Sequence, residues 1–451
     1  IPVVNRGKRD RIENAGHPGG HGETAYNPLT AARLERCFVV SPKMQIRPGN
    51  PEFLDLPWEQ PISEWVHSRI VDMPTGVHRH PVRFVAYEEG IYAIKEMPVR
   101  LSQREYRVLV ALEERTHRAA EPAGLVLRGW LDPHDEPSAA VVTRYVEHAF
   151  PYRRLVSGTG FGARRSQMLD AVAGLLVELH MAGCYWGDCS LSNVLYRFDA
   201  GGIEAIMIDG ETSELHPSLS PGQRLQDLEI MKENLAGEMA DIAAMHDVEV
   251  ADADLGLGED IAGRYEALWV ELTSELVIAR NEGYKIRERI ARINDLGFAV
   301  HDIEIEPTDA GDIVRMVTHV GGRTFNTDKL RELTGIEASE NQARLILSDL
   351  NYHLCKEGDT TPTAKSVGTF KWLTGVYEPL VQRIAEMWHG EDPVQGYCDF
   401  LNHRMILATA RESDVPNAEA FESWVADGFP GFPLDDGSRP TPELLRPAPS
   451  S

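Results

Sequence analysis

The sequence contains no run of about eighteen consecutive apolar residues, the length that a helix needs to cross a bilayer. Basic residues are scarce, since 45 Lys and Arg stand against 70 Asp and Glu, and the formal net charge is −25 at pH 7. This balance argues against nucleic acid and anionic lipid as partners. With 451 residues, of which 42% are apolar, the chain is long enough for roughly two or three globular domains.

Cysteine is sparse as well, and its positions form no recognisable site. The five cysteines are odd in number and include no C-x₂-C pair of the kind that binds zinc. They are Cys37, Cys184, Cys189, Cys355 and Cys398. We interpret them as reduced thiols, which predicts a cytoplasmic protein.

One segment carries polar residues at an informative spacing. Asp188 is followed five positions later by Asn193, and Asp209 comes after two further short apolar runs. In kinase-type folds an aspartate at the first position accepts the proton of the acceptor, the asparagine ligates Mg²⁺, and the second aspartate joins the metal to the phosphates. The pattern indicates ATP-dependent phosphoryl transfer, and the alternative is a surface helix followed by a polar hairpin.

The residues on either side of this segment favour the first interpretation. Upstream, apolar residues recur at helical intervals from Met168 to Leu179, which predicts an amphipathic helix. Downstream, residues 194–196 and 205–208 have the composition of two short strands around a Gly-Gly turn. Asp209 then lies at the end of the second strand, so that helix, loop and hairpin form one unit.

A lysine and a glutamate that would orient a nucleotide lie further upstream. Residues 82–87 and 91–97 are two β-rich runs, and the second contains Lys95. A lysine on such a strand reaches the α- and β-phosphates when a carboxylate on the following helix holds it. Glu105 is the first candidate for that carboxylate, ahead of two glutamates about two turns further along. The alternative for Lys95 is a solvated side chain, which is the usual environment of lysine.

The segment between these two halves predicts the adenine site. Residues 139–143 form a buried-strand run that leads into the position where a kinase-type fold has the hinge between its lobes. Thr143 would then lie at the back of the nucleotide pocket. Backbone groups of Tyr145 and Val146 would bind the edge of adenine.

The chain has no G-x-G-x-x-G loop to cover the phosphates. The corresponding segment, 74–80, contains Gly76, which permits a tight turn. Arg79 and His80 would supply cationic contacts to phosphate in place of some backbone amides. The alternative, of equal weight, is an ordinary exposed turn in which the histidines have no role.

Together these residues resemble the protein-kinase-like superfamily, in particular its aminoglycoside/choline-kinase-like and lipopolysaccharide-kinase-like branches. In those branches Gly rather than Arg precedes the catalytic Asp, as Gly187 precedes Asp188 here. Residues 186–193, 209–212 and 340–344 resemble more specifically the bacterial proteins described as domain of unknown function 4032. The resemblance implies an α+β, bilobal protein-kinase-like fold with an N-terminal extension and a mostly helical C-terminal domain. It also implies ATP and Mg²⁺ as cofactors.

Three departures from the protein-kinase pattern bear on activity. Ser190 stands where protein kinases have a lysine that stabilises the transferred phosphoryl group. The metal-binding triplet is Asp-Gly-Glu, so that Glu211 is either a further Mg²⁺ ligand or an exposed acid in a turn. Only residues 213–223 separate this triplet from the next predicted helix. That length is short for an activation segment, which favours a small-molecule or glycan acceptor over a peptide.

The predicted helix at 224–245 carries an apolar stripe and many acids. We expect most of these acids, Glu238 among them, to lie on a solvated face. Only Asp227 and Asn234 are expected to reach the pocket.

The expected organisation has five parts. They are a partly flexible N-terminal extension at 1–53, an N-lobe at 54–144, a C-lobe at 145–255, a C-terminal domain at 256–429 and a flexible tail at 430–451. The C-terminal domain should begin with helices at 261–281 and 285–296 and contain a β-hairpin at 299–305 and 313–319. We interpret it as a domain for substrate specificity or for a protein partner, with structural support of the C-lobe as the alternative.

Three functions therefore compete. The first is an ATP- and Mg²⁺-dependent phosphotransferase acting on a hydroxyl of a small molecule or glycan. The second is a nucleotide-binding pseudokinase that acts as a regulatory scaffold, which the serine at 190 and the missing glycine motif favour. The third is an adenylyl-transferring enzyme of the same fold.

Overall fold

The computed structural model describes residues 42–73, 79–131, 137–155, 162–279, 281–307, 313–357, 361–388 and 392–433. Within these ranges no helix combines the length and the apolar character that a bilayer crossing requires. Gly76 lies outside the described residues, as do 1–41 of the predicted extension and 434–451 of the predicted tail.

The N-terminal lobe is an antiparallel sheet of six strands with one helix packed on it. Its elements are β1 (Lys43–Ile46), β2 (Ile70–Val71), β3 (Val82–Tyr87), β4 (Gly90–Pro98), α1 (Val99–Glu113), β5 (Pro122–Leu131) and β6 (Pro137–Arg144). The strand order is β1-β5-β6-β4-β3-β2, which places β4 inside the sheet. Lys95 of β4 lies opposite Val82 of β3 and Val141 of β6. Tyr106 and Leu109 of α1 pack against Val141, which holds the helix on the sheet.

The ordered lobe begins earlier than the sequence predicts. Order was expected from about Leu54, but β1 pairs with β5 and forms an edge of the sheet. Phe53 is only 1% exposed, and its ring packs edge-on against Tyr87 and Tyr92 at centroid distances of 5.2 and 5.0 Å. A strand of four residues carries little signal in sequence, because its stability comes from the neighbouring strand.

The second lobe has its own hydrophobic cluster, which includes part of α1 but is separate from the clusters of the N-terminal sheet. Its elements are β7 (Phe150–Pro151), α2 (Arg165–Met181), β8 (Cys184–Tyr185), β9 (Val194–Asp199), β10 (Gly202–Met207), β11 (Glu214–Leu215), α3 (Pro221–Met245), α4 (Asp252–Leu255) and α5 (Leu257–Thr273). The predicted helix α2 is present, but it is not amphipathic. Leu175, Leu176 and Val177 are consecutive and all buried, because α2 contacts both α5 and β10. Ser220 caps α3 through a capping box with Gln223.

The rest of the chain forms a small sheet and a group of helices. Its elements are β12 (Leu276–Ala279), α6 (Tyr284–Asp295), β13 (Val300–Pro307), β14 (Ile313–Val320), α7 (Phe325–Thr334), α8 (Glu340–Glu357), α9 (Pro362–Trp372), α10 (Glu378–Met387), α11 (Pro393–Arg411) and α12 (Asn417–Ala426). The predicted hairpin is confirmed, but the helix predicted at 261–281 is wrong beyond Thr273. The β-branched Val277 and Ile278 instead pair with β14, so the sheet has three strands in the order β12-β14-β13.

Two hydrophobic clusters explain how the chain is organised. The larger one contains Leu257, Ile261 and Tyr265 of α5 together with the buried face of α2, so α5 packs as part of the C-lobe. The second cluster runs from Leu330 to Trp424 along helices α7 to α12 and also includes Ala200 of the β9–β10 turn. We call these helices, residues 325–426, the C-terminal helical domain. The predicted α+β class is confirmed, with an antiparallel sheet first and a helical part last.

Candidate active site

The loop between β8 and β9 carries Asp188 and Asn193 at the junction of the two lobes. Gly187 has φ +78°, a left-handed conformation that glycine adopts without strain. A Cβ at this position would lie 3.3 Å from the Thr212 carbonyl oxygen, so glycine also allows the two loops to approach closely. Trp186 is fully buried, and its Nε1 donates a hydrogen bond to the Asp209 carbonyl oxygen at 2.9 Å. The loop of residues 186–193, which we call the catalytic loop because of its predicted role, is therefore bonded directly to the predicted metal-binding triplet of residues 209–211.

Asp227 of α3 holds the start of this loop. Its carboxylate accepts the N–H of Trp186 at 2.7 Å and the N–H of Gly187 at 2.8 Å. His180 lies on its other side, with Nε2 3.1 Å from Asp227 and Nδ1 2.8 Å from the Tyr265 hydroxyl. Because all these groups are buried, the chain of hydrogen bonds fixes the backbone that leads into Asp188.

Asp188 is held from two directions. Asn234 of α3 donates its Nδ2–H to Asp188 Oδ1 at 3.0 Å and to the Cys189 carbonyl oxygen at 3.1 Å. Asn193 donates its Nδ2–H to the Asp188 carbonyl oxygen at 3.0 Å and to Asp188 Oδ2 at 3.4 Å. Burial raises the pKa of Asp188, as does the charge of Asp209, while the two amide hydrogen bonds act against the rise. A raised pKa makes a carboxylate a better general base.

Glu238 is a site residue that sequence reasoning missed. It was expected on a solvated face of α3, but its carboxylate accepts the N–H of Leu191 at 2.7 Å and the N–H of Ser192 at 3.0 Å. Burial raises its pKa. Asp227, Asn234 and Glu238 are spaced by seven and four positions, so they share one face of the helix. That spacing is the signal that would have found Glu238.

Lys95 gathers three carboxylates at the junction of the lobes. Its Nζ lies 3.2 Å from Glu105 Oε2, 2.7 Å from Asp209 Oδ2 and 3.4 Å from Glu211 Oε2. The structure thus brings Lys95 and Glu105 together as expected. Burial lowers the pKa of Lys95, but the surrounding carboxylates outweigh it and raise the pKa overall. Burial raises the pKa of Glu105 to about 8, although Lys95 acts against the rise.

Glu211 is buried, so the expectation of an exposed acid in a turn is wrong. The residue is 6% exposed because β3 and β4 bring the N-lobe over it. His80 Nε2 lies 3.1 Å from Glu211 Oε2, and the largely exposed Arg79 approaches to 3.9 Å. Burial opposes ionisation of Glu211, but His80 and Lys95 outweigh it and lower its pKa to about 2. The pair predicted to contact phosphate therefore contacts this carboxylate.

One oxygen each from Glu105, Asp209 and Glu211 lies within 4.8 Å of the others. Carboxylate oxygens are the ligands that Mg²⁺ prefers, and Asn193 adds an amide oxygen on the adjoining loop. The N–H of Ile208 donates to the Asn193 carbonyl oxygen at 3.1 Å, which ties the strand before Asp209 to that loop. These oxygen donors are of the kind that binds Mg²⁺, and Lys95 Nζ lies among the three carboxylates in this structure.

The predicted hinge residues lie at the end of β6 and directly after it. Thr143 is partly buried on β6 opposite Ala93 of β4. The N–H of Tyr145 donates to the Ile91 carbonyl oxygen at 2.8 Å, so this donor serves the sheet and is not available to adenine. The Tyr145 ring packs edge-on against Phe84 at 5.8 Å. Of the two predicted adenine-binding residues, Val146 is therefore the one whose N–H would donate a hydrogen bond to adenine.

Comparisons with known proteins agree with this layout. Residues 89–254 match the family described as lipopolysaccharide kinase (Kdo/WaaP), and residues 267–428 match the domain of unknown function DUF4032. Both resemblances inferred from sequence are thereby confirmed. The first match includes Lys95, Asp188, Asn193 and Asp209, so the region that carries these residues is similar to lipopolysaccharide kinases.

Two further comparisons add little. No curated protein matches the chain. A solved structure of WaaP in complex with acyl carrier protein is 14% identical, with a TM-score of 0.32, and the match covers 56% of this chain and 98% of that chain. A likeness at this level carries no conclusion about the present chain.

Proposed function

We propose that this chain, in which a lipopolysaccharide-kinase-like region precedes a DUF4032 region, is an ATP- and Mg²⁺-dependent phosphotransferase acting on a hydroxyl of a small molecule or glycan. The observation that carries the proposal is the contact of Lys95 Nζ with Asp209 Oδ2 at 2.7 Å across the lobes. In this contact, the lysine that we propose to bind the phosphates lies next to the carboxylate that we propose to bind the metal. Kinase-type catalysis requires both groups at one point.

The nucleotide would lie between the lobes. Lys95, oriented by Glu105, binds the α- and β-phosphates, and Arg79 and His80 at the start of β3 add positive charge. Thr143 and Val146 line the adenine end. His80, which pairs with Glu211 in this structure, would be a further partner for the phosphates. Asn193, Asp209 and Glu211 would hold Mg²⁺, which would supply positive charge to the phosphates during transfer.

Asp188 is the residue that would contact the acceptor hydroxyl. Its carboxylate would accept the proton of the acceptor hydroxyl while the oxygen of that hydroxyl forms a bond to the γ-phosphorus of ATP. The bond from that phosphorus to the oxygen that bridges the β- and γ-phosphates breaks, and ADP leaves. Asn234 donates to Oδ1 at 3.0 Å and Asn193 donates to Oδ2 at 3.4 Å, so that two amides orient the carboxylate. Fixing the base in this way lowers the entropic cost of reaching the transition state.

The short segment after Glu211 bears on the kind of acceptor that the site would take. Its residues 214–215 form β11, which pairs with β8 directly beside the catalytic loop. The chain then reaches Ser220 and enters α3. The segment between Glu211 and α3 is short for an extended surface that binds a peptide, which favours a small molecule or a glycan as the source of the acceptor hydroxyl.

A nucleotide-binding pseudokinase is the second candidate, because Ser190 replaces the catalytic-loop lysine. The Ser190 hydroxyl lies 3.0 Å from the Ser192 hydroxyl and supplies no charge to the phosphoryl group. The two candidates differ in turnover but share nucleotide binding.

One labelling experiment separates the candidates. The full chain is incubated with a cell extract, Mg²⁺ and ATP labelled either at the α- or at the γ-phosphate, and an Asp188→Asn variant serves as the matched control. Label transferred from the γ-phosphate by the wild type alone supports the phosphotransferase. Transfer from the α-phosphate would identify adenylyl transfer, and ATP binding without any transfer would favour the pseudokinase.

A further inference from the structure

The hairpin of β9 and β10 connects the candidate active site to the C-terminal helical domain. Asn193 directly precedes β9, and Asp209 follows two residues after the end of β10 at Met207. Val194 pairs with Met207 at this open end, and Asp199 pairs with Gly202 at the turn. The six-residue strands place the turn roughly 17 Å from the proposed metal ligands.

The turn end is held by the first residues of α8. Asp199 is fully buried, and its two carboxylate oxygens accept the N–H of Gln342 at 2.8 Å and the N–H of Asn341 at 3.1 Å. These amides belong to the first turn of α8, where N–H groups have no partner inside the helix. A carboxylate there satisfies two of them and is favoured by the helix dipole. The strand that leads from Asn193 therefore ends as the cap of a helix in the other domain.

A glutamine of α11 holds the turn itself. Gln395 Oε1 accepts the N–H of Ala200 at 2.8 Å, and its Nε2–H donates to the Ala200 carbonyl oxygen at 3.1 Å. Ala200 has φ +51°, a conformation that is uncommon for a residue with a side chain. Gln342 also donates to Gln395 Oε1, at 3.2 Å, so the two contacts form one network. Ala200 packs in the second hydrophobic cluster, which seats the turn inside the C-terminal helical domain.

The middle of the hairpin is held from the same side. Ser339, just before α8, donates its hydroxyl to Glu204 of β10 at 3.0 Å, and Glu204 also pairs with Arg118 and Arg197. Further along β10, the backbone of Met207 exchanges hydrogen bonds of 2.8 Å with Arg118 and Ala120 in the segment after α1. The hairpin thus has fixed supports from its turn to the point where Asp209 begins.

We infer that the C-terminal helical domain is a positioning element of the active site, and that Asp199 and Gln395 are the positioning residues through which it acts. A hairpin of two strands is marginally stable by itself, and the third strand of this sheet, β7, pairs with β9 only at Leu195 and Tyr196. With its turn fixed, the hairpin would keep Asn193 and Asp209, which flank its open end, in a constant relative position. The role in nucleotide binding rests on the proposed function, whereas the fixing of the hairpin does not.

Two measurements on the full chain test this inference, with Asp199→Ala and Gln395→Ala as the variants. Asp349→Ala is the matched control, because Asp349 is a buried acid that binds Trp372, Tyr397 and Arg404 within the C-terminal helical domain. We expect both hairpin variants to weaken calorimetric binding of Mg²⁺ with a nonhydrolysable ATP analogue by roughly 3- to 30-fold. The control should lower the melting temperature but leave this affinity unchanged.

Amide hydrogen exchange supplies a readout that needs no nucleotide. Exchange at residues 194–207 should rise in both hairpin variants and stay at the wild-type level in Asp349→Ala. Gln395→Ala removes only a neutral side chain, so it keeps the test open if Asp199→Ala does not fold. Wild-type exchange and affinity in Gln395→Ala would overturn the inference, as would equal effects of the control. A wild type that binds no nucleotide would refute the proposed function, and the exchange data would still decide the role of the hairpin.

Discussion

Asn234 donates a hydrogen bond from Nδ2 to Asp188 Oδ1 at 3.0 Å, which joins the middle of α3 to the proposed catalytic base. The same amide reaches the Cys189 carbonyl oxygen, so it fixes both the side chain and the backbone of the loop. Asp227 and Glu238 bind the loop on either side. One face of α3 therefore shapes the whole catalytic loop.

Replacing Asn234 should slow the chemical step without affecting nucleotide binding. In Asn234→Ala, Asp188 loses the bond that orients it, and we expect kcat to fall by roughly 10- to 100-fold with KM for ATP unchanged. Glu233→Ala, an exposed neighbour on the same helix, should match the wild type. Steady-state kinetics with a fixed acceptor would measure both values. A rise in KM for ATP at unchanged kcat would contradict the positioning role.

Substitutions of Asp188 and Asp209 should have different effects on turnover and on nucleotide affinity. Asp188→Asn retains the shape of the base but cannot accept a proton, so we expect turnover to fall by roughly 10²- to 10⁴-fold at nearly unchanged nucleotide affinity. Asp209→Asn should weaken Mg²⁺–nucleotide binding itself, because a metal ligand loses its charge. Calorimetry and turnover assays on the same preparations would distinguish these effects. Equal losses of affinity in both variants would show that the roles are wrongly assigned.

Lys95→Met should make the fold depend on divalent cations. The substitution leaves Glu105 buried beside two further carboxylates without its ammonium partner, which we expect to cost ~3 kcal/mol of stability. Mg²⁺ should restore part of the melting temperature, because it supplies the missing positive charge. Glu211→Gln in the same background should reduce that restoration. A variant that melts like the wild type, with or without Mg²⁺, would argue against the carboxylate cluster as a metal site.

The decrease in the free energy of unfolding at acidic pH should depend on Glu204. Burial opposes its ionisation, but Arg118 and Arg197 outweigh this and lower its pKa to about 2 from the ordinary value of 4.5. The ionised form therefore stabilises the fold above about pH 4.5, and this stabilisation is lost as pH falls towards 2. In Glu204→Gln, the free energy of unfolding, measured with denaturant, should be lower at neutral pH and depend less on pH in this window. A variant with the same pH slope as the wild type would exclude Glu204 as the titrating group.

Tyr265 should behave as a core residue of the C-lobe, although it lies beyond the boundary predicted at residue 255. Its ring stacks on Trp269 at 5.8 Å, and its hydroxyl contacts His180 Nδ1 at 2.8 Å. Tyr265→Ala should cost about 3–5 kcal/mol, and Tyr265→Phe about 1 kcal/mol. Tyr284→Ala, at a half-exposed tyrosine of α6, should cost little. Thermal denaturation would rank the three variants. A small effect at Tyr265 would show that α5 is not needed by the C-lobe.

Spacing along the chain was enough to identify the central residues of the site. Asp188, Asn193 and Asp209 are carried by one helix–loop–hairpin unit, and such a unit is specified by local periodicity and turn residues. The pairing of Lys95 with Glu105 followed from the same logic, since β4 runs directly into α1. These features are local, so the amino-acid order alone determines them.

The environment of each group depended on contacts between distant segments. Glu211 is buried only because β3 and β4 fold over its loop, and Glu238 contacts the catalytic loop only because α3 packs along it. β12 is a strand because β14 pairs with it, although its residues continue a helical pattern. The capping of α8 by Asp199 joins residues more than a hundred positions apart. The sequence determined which groups are candidates for the chemistry, while burial and long-range hydrogen bonding, which exist only in the folded chain, decided their charge, partners and supports.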